Sequence, residues 1–454
     1  MAKPETYGQH ARAVLALGLP LIGSNLAQMA LHVTDTIMLG WYDIEALAAV
    51  VLGVTAFFVL FMLGAGFAQA VMPMVAQAAA AGNDRDVRRV TRMGLWLSIL
   101  YAVLSLPVMW FSGPLLLAAK QDPVVAALAQ DFLRIAGFGM IPALVIMVLK
   151  SYLAALERTQ VVLWTTLIGV AVNAAAAWAL IFGHWGAPEL GVRGAAIASL
   201  LTQTLTAALL LAYAGWFGPL RRYTLFVRFW RADWHAFAQV YRLGWPISLT
   251  SLAESGLFSA ASVMMGWLGT RQLAAHGIAM EIAAVTFMIH LGLSNAATVR
   301  AGRAFGPGDG EGLRRGAQVV IALSVLVALV NVTLFLAMPE TLIGLFLSAD
   351  DPARATVLAF GTGLLAVAAL FQLADAMQVM ALGLLRGVQD TRVPMLLAVV
   401  SYWVVGMPMS YLLGIRAGFG GQGLWFGLTI GLVLAAVSLM VRFWRGAALR
   451  TNPA

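Results

Sequence analysis

Four acidic residues, Asp35, Glu254, Glu281 and Asp375, fall inside long apolar stretches of this 454-residue chain. A charge at the centre of a bilayer costs about 3 kcal/mol or more unless it faces a partner or a wet cavity, so each is a candidate for work. Glu254 lies 12 residues past Arg242, and Asp375 lies 11 residues before Arg386. At 1.5 Å per residue both come roughly 17 Å from the boundary those arginines mark, near the midplane of a hydrocarbon core about 30 Å thick. Two carboxylates at one depth can bind a small cation such as Na+ or share a proton; locked onto hydroxyls or backbone inside a bundle, they would be structural. Glu281 can assist such a site or charge a cavity wall. Asp35 precedes Trp41, Tyr42 and Asp43, residue types of a membrane interface, and is expected near the outer end of its helix.

These residues need a membrane around them. Hydrophobic residues make up 61% of the chain and charged residues only 11%, with a mean hydropathy of +0.87, whereas soluble domains carry about 25% charged residues. The absence of cysteine excludes disulfides, thiolate metal sites and cysteine nucleophiles. The net charge of +8 would suggest nucleic acid in a soluble chain, but here it fits cytoplasmic loops rich in Lys and Arg. The six histidines show no HExxH spacing and no GxxxxGK[ST] loop occurs, which argues against a metallohydrolase or ATP hydrolysis. Neither an enzyme nor a resident cofactor is expected; the ion at the carboxylates would be coupling Na+ or H+.

The expected fold is an all-α integral membrane protein. Windows of about 20 apolar residues predict twelve transmembrane helices over 13–37, 46–79, 93–117, 131–155, 161–182, 194–217, 243–268, 273–304, 316–337, 355–385, 394–415 and 422–444. The runs are too long for the short alternating strands of a barrel. The first ten residues lack a signal-peptide core, so the first helix is expected to act as an uncleaved anchor. Assigning loops to alternate sides puts 22 of the 28 Lys and Arg on one side, Lys150 and Arg386 among them, which predicts that both termini are cytoplasmic in a bacterial-type inner membrane. The expected organisation is a six-helix bundle over 1–217, a basic connector over 218–242 and a second bundle with a short tail over 243–454. The connector carries five arginines, with Trp216, Trp230 and Trp234 interleaved along this stretch, a composition suited to anionic lipid headgroups.

The two bundles are repeats. Shifted by 226 positions, Leu17-Gly18-Leu19-Pro20 falls on Leu243-Gly244-Trp245-Pro246, and Met38-Leu39-Gly40-Trp41 falls on Met264-Met265-Gly266-Trp267. Later in each half the offset is 229, which places Gly191 and Gly194 on Gly420 and Gly423. Six helices per copy make the repeats parallel, an arrangement of transporters in which two bundles rock about a cavity at their junction. Pro20 and Pro246 should kink the first and seventh helices at equal depth and are candidate hinges, though bundle packing alone would also accommodate them. The acids are not duplicated: Gln28 aligns with Glu254, Ala261 with Asp35 and Ile146 with Asp375. Gly427 and Gly431 are expected to serve helix packing. Among the methionines and phenylalanines, Met264 and Phe287 are candidate wall residues of a soft pathway for apolar cations, with Gln28 beside them.

The chain resembles the multidrug and toxic compound extrusion (MATE) family, in particular its NorM-type branch. The resemblance rests on Leu17-Gly18-Leu19-Pro20, the stretch Asp35 to Gly40, Gly183 to Gly191 with Gly194 to Ala198, Leu252-Ala253-Glu254, and Leu385-Arg386-Gly387 followed by Asp390-Thr391. It covers essentially the whole length. It implies a MATE-like antiporter that expels lipophilic organic cations in exchange for Na+ or H+ and works as a monomer, with membrane acids matching Asp35, Glu254 and Asp375. Asn173 matches the family's helix-five asparagine, whereas Ala177 stands where some proton-coupled relatives carry an acid and Glu281 stands where relatives commonly carry asparagine. A flippase for lipids or lipid-linked sugars on the same superfold is the alternative; its cavity would favour basic groups, and the depth of Glu254, Asp375 and Glu281 with few arginines favours cationic cargo.

Overall fold

In hydrocarbon a backbone amide has only its own chain to bond, so every apolar stretch is under pressure to become helix. The computed structural model describes residues 6–347, 352–446 and 449, and only the backbone at 44 and 45. Among these, twelve helices are long and apolar enough to span a bilayer: α1 (Tyr7–Tyr42), α2 (Ala46–Ala80), α3 (Asp84–Trp110), α4 (Pro123–Ala155), α5 (Thr159–Phe182), α6 (Gly191–Trp216), α7 (Trp234–Leu268), α8 (Thr270–Phe305), α9 (Gly310–Ala337), α10 (Arg354–Gly387), α11 (Arg392–Arg416) and α12 (Gly420–Arg445). No strand occurs among the described residues.

The third span differs most from its apolar window. Asn83 caps α3 by accepting from the Asp86 amide, so the helix begins in polar sequence with Asp84 and Asp86 in its first turn, where carboxylates favour the positive helix end. It stops at Trp110 because Phe111 leaves the helical region, and Ser112–Ala118 form a separate short helix. α4 is interrupted by a tight turn at Gly137–Gly139. In α11, two π-helical stretches, Val400–Gly406 and Leu412–Arg416, widen the backbone. Gly427 and Gly431 do pack against α11: a Cβ at Gly427 would come 2.1 Å from the Ser410 amide nitrogen, and one at Gly431 would come 2.7 Å from the Gly406 Cα.

By contacts the chain divides into two units, and the division falls inside helices rather than in the connector 218–242. One unit runs from Gly23 to Ser248; the other joins the chain up to Ile22 with the chain from Leu249 onward. Both breaks lie two residues past a proline within a helix, Pro20 in α1 and Pro246 in α7. Their spacing is the 226-residue repeat offset itself. Within the Gly23–Ser248 unit, Gly66 of α2 lies so close to α7 that a Cβ would come 2.5 Å from the Gly244 carbonyl oxygen and 2.5 Å from the Ser248 nitrogen. The repeat-related pair in the other unit is the same contact: a Cβ at Gly292 of α8 would meet the Ile22 nitrogen of α1 at 2.8 Å.

The connector is pinned as a strap on the start of α3. Arg88 donates to the Thr224 hydroxyl at 2.6 Å, Trp96 Nε1 to the Phe229 carbonyl at 3.1 Å, and Arg92 to the carbonyls of Arg231 at 3.0 Å and of Arg228. Arg89 bonds Asp233. Arginines that the sequence presents as loop charges thus hold carbonyls that have no helix to bond them. Trp216, Trp230 and Trp234 are about 70% exposed, which leaves them available to a membrane interface.

The hydrogen bond from Arg89 holds the Asp233 carboxyl below the usual carboxylate range. A group whose folded value lies below its unfolded one stabilises above the unfolded value, and that contribution is lost as pH falls through the folded value. Amide exchange across 224–233, corrected for intrinsic rates, should therefore accelerate in acid, and Asp233→Asn should show the loosened strap already at neutral pH. Full protection in that variant would assign the anchoring to Arg88, Arg92 and Trp96.

Candidate functional site

Of the four sequence-selected acids, the structure brings together Glu254 and Asp375, while Asp35 and Glu281 lie apart from them. In the carboxyl-terminal unit, Glu254 of α7 accepts a hydrogen bond from Gln378 Nε2 of α10 at 3.0 Å. One turn before Gln378 on α10, Asp375 is 2% exposed, and its Oδ1 has no hydrogen-bond partner among the described residues. Asp375 lies within reach of the Glu254 charge, so the two carboxylates fall in one cluster. Around them lie further buried polar atoms without partners among the described residues: both amide atoms of Gln372, Gln378 Oε1 and the Tyr402 hydroxyl. Such a density of unsaturated oxygen in a buried region is costly unless a cation or proton joins it.

Arg386, counted by sequence as a boundary charge, is half-buried on the same helix as Asp375, and its charge and that of Glu254 are close enough to interact. Glu281 is half-buried on α8, makes no hydrogen bond or ion pair among the described residues, and is not part of this network. Met264 is buried and Phe287 half-buried in the same unit.

Asp35 works elsewhere. In the Gly23–Ser248 unit, α1, α2, α4, α5 and α6 enclose a cavity of about 500 Å³. Asp35 is half-buried on its wall rather than solvated at the interface beside Trp41. It accepts from Asn173 Nδ2 at 2.6 Å, and Asn173 Oδ1 accepts from the Thr202 hydroxyl at 3.2 Å. One carboxylate oxygen is thereby fixed by an amide that is itself fixed. Gln28 lines the same cavity and accepts from Lys150 Nζ at 3.2 Å. Val50, Val54, Phe57, Phe58 and Phe132 supply apolar walls. Lys150 and Thr202 are the residues that sequence reasoning missed. The signal for Lys150 was present: α4 stays helical to Ala155, five residues beyond it, so the lysine precedes the loop.

A duplicated twelve-helix chain with acids inside its spans, and a largely apolar cavity with a carboxylate on its wall, is a polytopic membrane protein of the transporter type. The chain belongs to the MatE family, whose model matches residues 20–179 and 246–412; the two matches begin at repeat-related residues. It is 49% identical to the probable multidrug resistance protein NorM of Rhizobium meliloti (strain 1021), over 97% of this chain and 94% of that protein. It is 46% identical to the protein of the same description from Agrobacterium fabrum, over 96% and 94%. Its fold superposes on the crystal structure of the eukaryotic MATE transporter AtDTX14 with a TM-score of 0.87, at 19% identity and 98% coverage of both chains. A transporter of the MOP superfamily from Pyrococcus furiosus gives 0.88 at 20% identity, over 98% of this chain and 97% of that one.

Proposed function

We propose that this protein is a multidrug efflux antiporter that exports hydrophobic organic cations in exchange for Na+ or H+. It is a transporter and not an enzyme, and it works in the inner membrane with both termini cytoplasmic. The single observation that carries the coupling mechanism is the buried Asp375, with an unpartnered carboxylate oxygen among the described residues, in one cluster with Glu254. Two carboxylates in such a place gain from a bound cation or proton, which reduces the charge to be moved through a low-dielectric barrier. The relatives' names, multidrug resistance proteins, support drug export, and the Asp35 cavity supports a cationic cargo: it offers an anionic group on an apolar wall. Pro20 and Pro246, each beside a unit boundary, are the pivots. A lipid-linked pyrophosphate would need clustered basic groups, whereas Lys150 is the one Lys or Arg among the described residues that line the Asp35 cavity.

Ion and cargo need only favour opposed conformations. Coupling is then reciprocal: if bound ion lowers cargo affinity by some factor, bound cargo lowers ion affinity by the same factor. In proteoliposomes with sodium and proton gradients imposed separately, an inward gradient of the coupling ion should drive export of a fluorescent organic cation, and collapsing it should stop export. In detergent, saturating that ion should weaken equilibrium binding of the same dye. Independent binding of ion and dye, with neither gradient driving export, would sink the antiport reading.

A further inference from the structure

We propose that His276 is a positioning residue of the coupling site: it latches a layer of aromatic side chains across one end of the Glu254–Asp375 pair, at the place where the other repeat is open. This rests on the reading of that pair as the coupling site. Phe258 lies one turn after Glu254 on α7, and Phe371 lies one turn before Asp375 on α10. The two helices run in opposite directions, so both rings fall on the same side of the acids, away from the connector. Their centroids are 5.9 Å apart, and Phe371 meets the buried ring of Trp425 on α12 at 5.3 Å.

A hydrogen-bond chain holds this layer, and its directions are fixed. The Trp425 indole nitrogen can only donate, and it donates to Nδ1 of the buried His276 of α8 at 3.0 Å. The proton of the neutral ring is then on Nε2, which donates to the Ser262 hydroxyl at 3.0 Å, and that hydroxyl donates to the Phe258 carbonyl at 3.1 Å. One imidazole thus ties α12 to α7. Removing its acceptor leaves the indole N–H buried without a partner, which costs more than the bond itself contributes.

The repeat shows what the layer replaces. At the 226 offset Phe258, Ser262 and His276 fall on His32, Thr36 and Val50, and all three of these line the cavity of the Gly23–Ser248 unit. At the 229 offset Trp425 falls on Ala196. Valine and alanine leave space where imidazole and indole fill it, so one place is a cavity in the first copy and a latched layer in the second. Ala261, 1% exposed beside this layer, falls on Asp35 of the cavity wall. Apolar side chains would fill the space without burying polar atoms; the hydrogen-bond chain adds a single point of release. With the latch shut, an ion does not reach the acids from that end.

The chain has no cysteine, so one introduced thiol reports access. Ala261→Cys places it beside the layer, and Ala328→Cys, at a fully buried residue of α9, is the control for unfolding. Full-length protein in lipid nanodiscs is treated with the methanethiosulfonate ethyltrimethylammonium cation. The Ala261→Cys thiol should react slowly with His276 in place and at least about tenfold faster with His276→Phe, which keeps a ring and removes the acceptor. With His276→Asn, whose Oδ1 can accept from the indole, it should be slow again. If the Ala328→Cys thiol also reacts faster with His276→Phe, Trp425→Phe, which removes the donor, takes its place in the comparison. In proteoliposomes without cargo, followed by radioactive Na+ uptake and by internal pH, His276→Phe should leak the coupling ion and lose driven dye export. His276→Asn should retain coupling, and adding Glu254→Gln to His276→Phe should stop the leak. Equal thiol reactivity in all backgrounds, or His276→Asn as reactive as His276→Phe, would overturn the latch and leave ring packing. Faster labelling with coupling intact and no leak would overturn its role at the coupling site. A leak that survives Glu254→Gln would overturn the coupling reading itself while the latch stands.

Discussion

Replacing Glu254 with glutamine, or Asp375 with asparagine, should abolish ion-driven efflux while the protein still folds and inserts. Asp375 is buried with a carboxylate oxygen unpartnered among the described residues, in one cluster with Glu254, so removing either acid takes away negative charge that would attract a cation there. Losing one charge of a pair in such surroundings costs several kcal/mol, enough to reduce ion affinity by more than about a hundredfold. Glutamine at 254 preserves volume and can still pair with the Gln378 amide, which is why folding should survive. The measurement is dye export under an imposed gradient, beside thermal stability in detergent. The ion's weakening of dye binding should vanish together with driven export. Wild-type export rates in both variants, at normal stability, would falsify the coupling assignment.

A methyl group at Gly66 should be nearly as damaging, for a reason unrelated to charge. Its Cβ would lie 2.5 Å from the Gly244 carbonyl oxygen and 2.5 Å from the Ser248 nitrogen, and both are backbone atoms that cannot rotate away. Overpacking of this kind costs about 1–3 kcal/mol where side chains can yield, and backbone-on-backbone contact belongs at or beyond the top of that range. Gly66→Ala, and Gly292→Ala at the repeat-related contact on Ile22, should therefore lower folded yield and melting temperature sharply. Gly277→Ala is the control: on the same helix as Gly292 it meets nothing within 4 Å, and alanine's better helix propensity should leave it neutral or slightly stabilised by up to about 1 kcal/mol. Equal melting temperatures for all three variants would show that α2 and α8 can move away from their partners at little cost.

Much of this architecture is legible in sequence because membrane solvent makes local rules strict. A spanning backbone has no choice but helix, so apolar run length reports the twelve spans, and the misplacement of the third comes from a capped polar first turn that apolarity does not register. The repeat is legible because gapless matches recur at one offset, Gly18 with Gly244 and Pro20 with Pro246 among them; at Gly244 an added Cβ would meet the Phe67 Cα at 2.7 Å. Glu254 and Asp375 are legible because a charge deep in an apolar run is costly enough to demand a reason.

What the sequence by itself determined, then, was helix number and duplication, since each depends on distance along one chain in one dimension. Only the tertiary structure decided lateral neighbours. Depth counting placed Arg386 and Lys150 at the boundary, because long cationic side chains near helix ends ordinarily reach for water. Packing instead brings the charge of Arg386 to Glu254 and turns Lys150 onto the cavity that holds Asp35. The same limit explains why Asp35 reads as interfacial beside Trp41 but is a wall residue held by Asn173 from another helix. Rotation of a helix about its axis decides which side chains meet. In a span that is apolar on most of its circumference, little in the sequence of that helix fixes the rotation; its neighbours do.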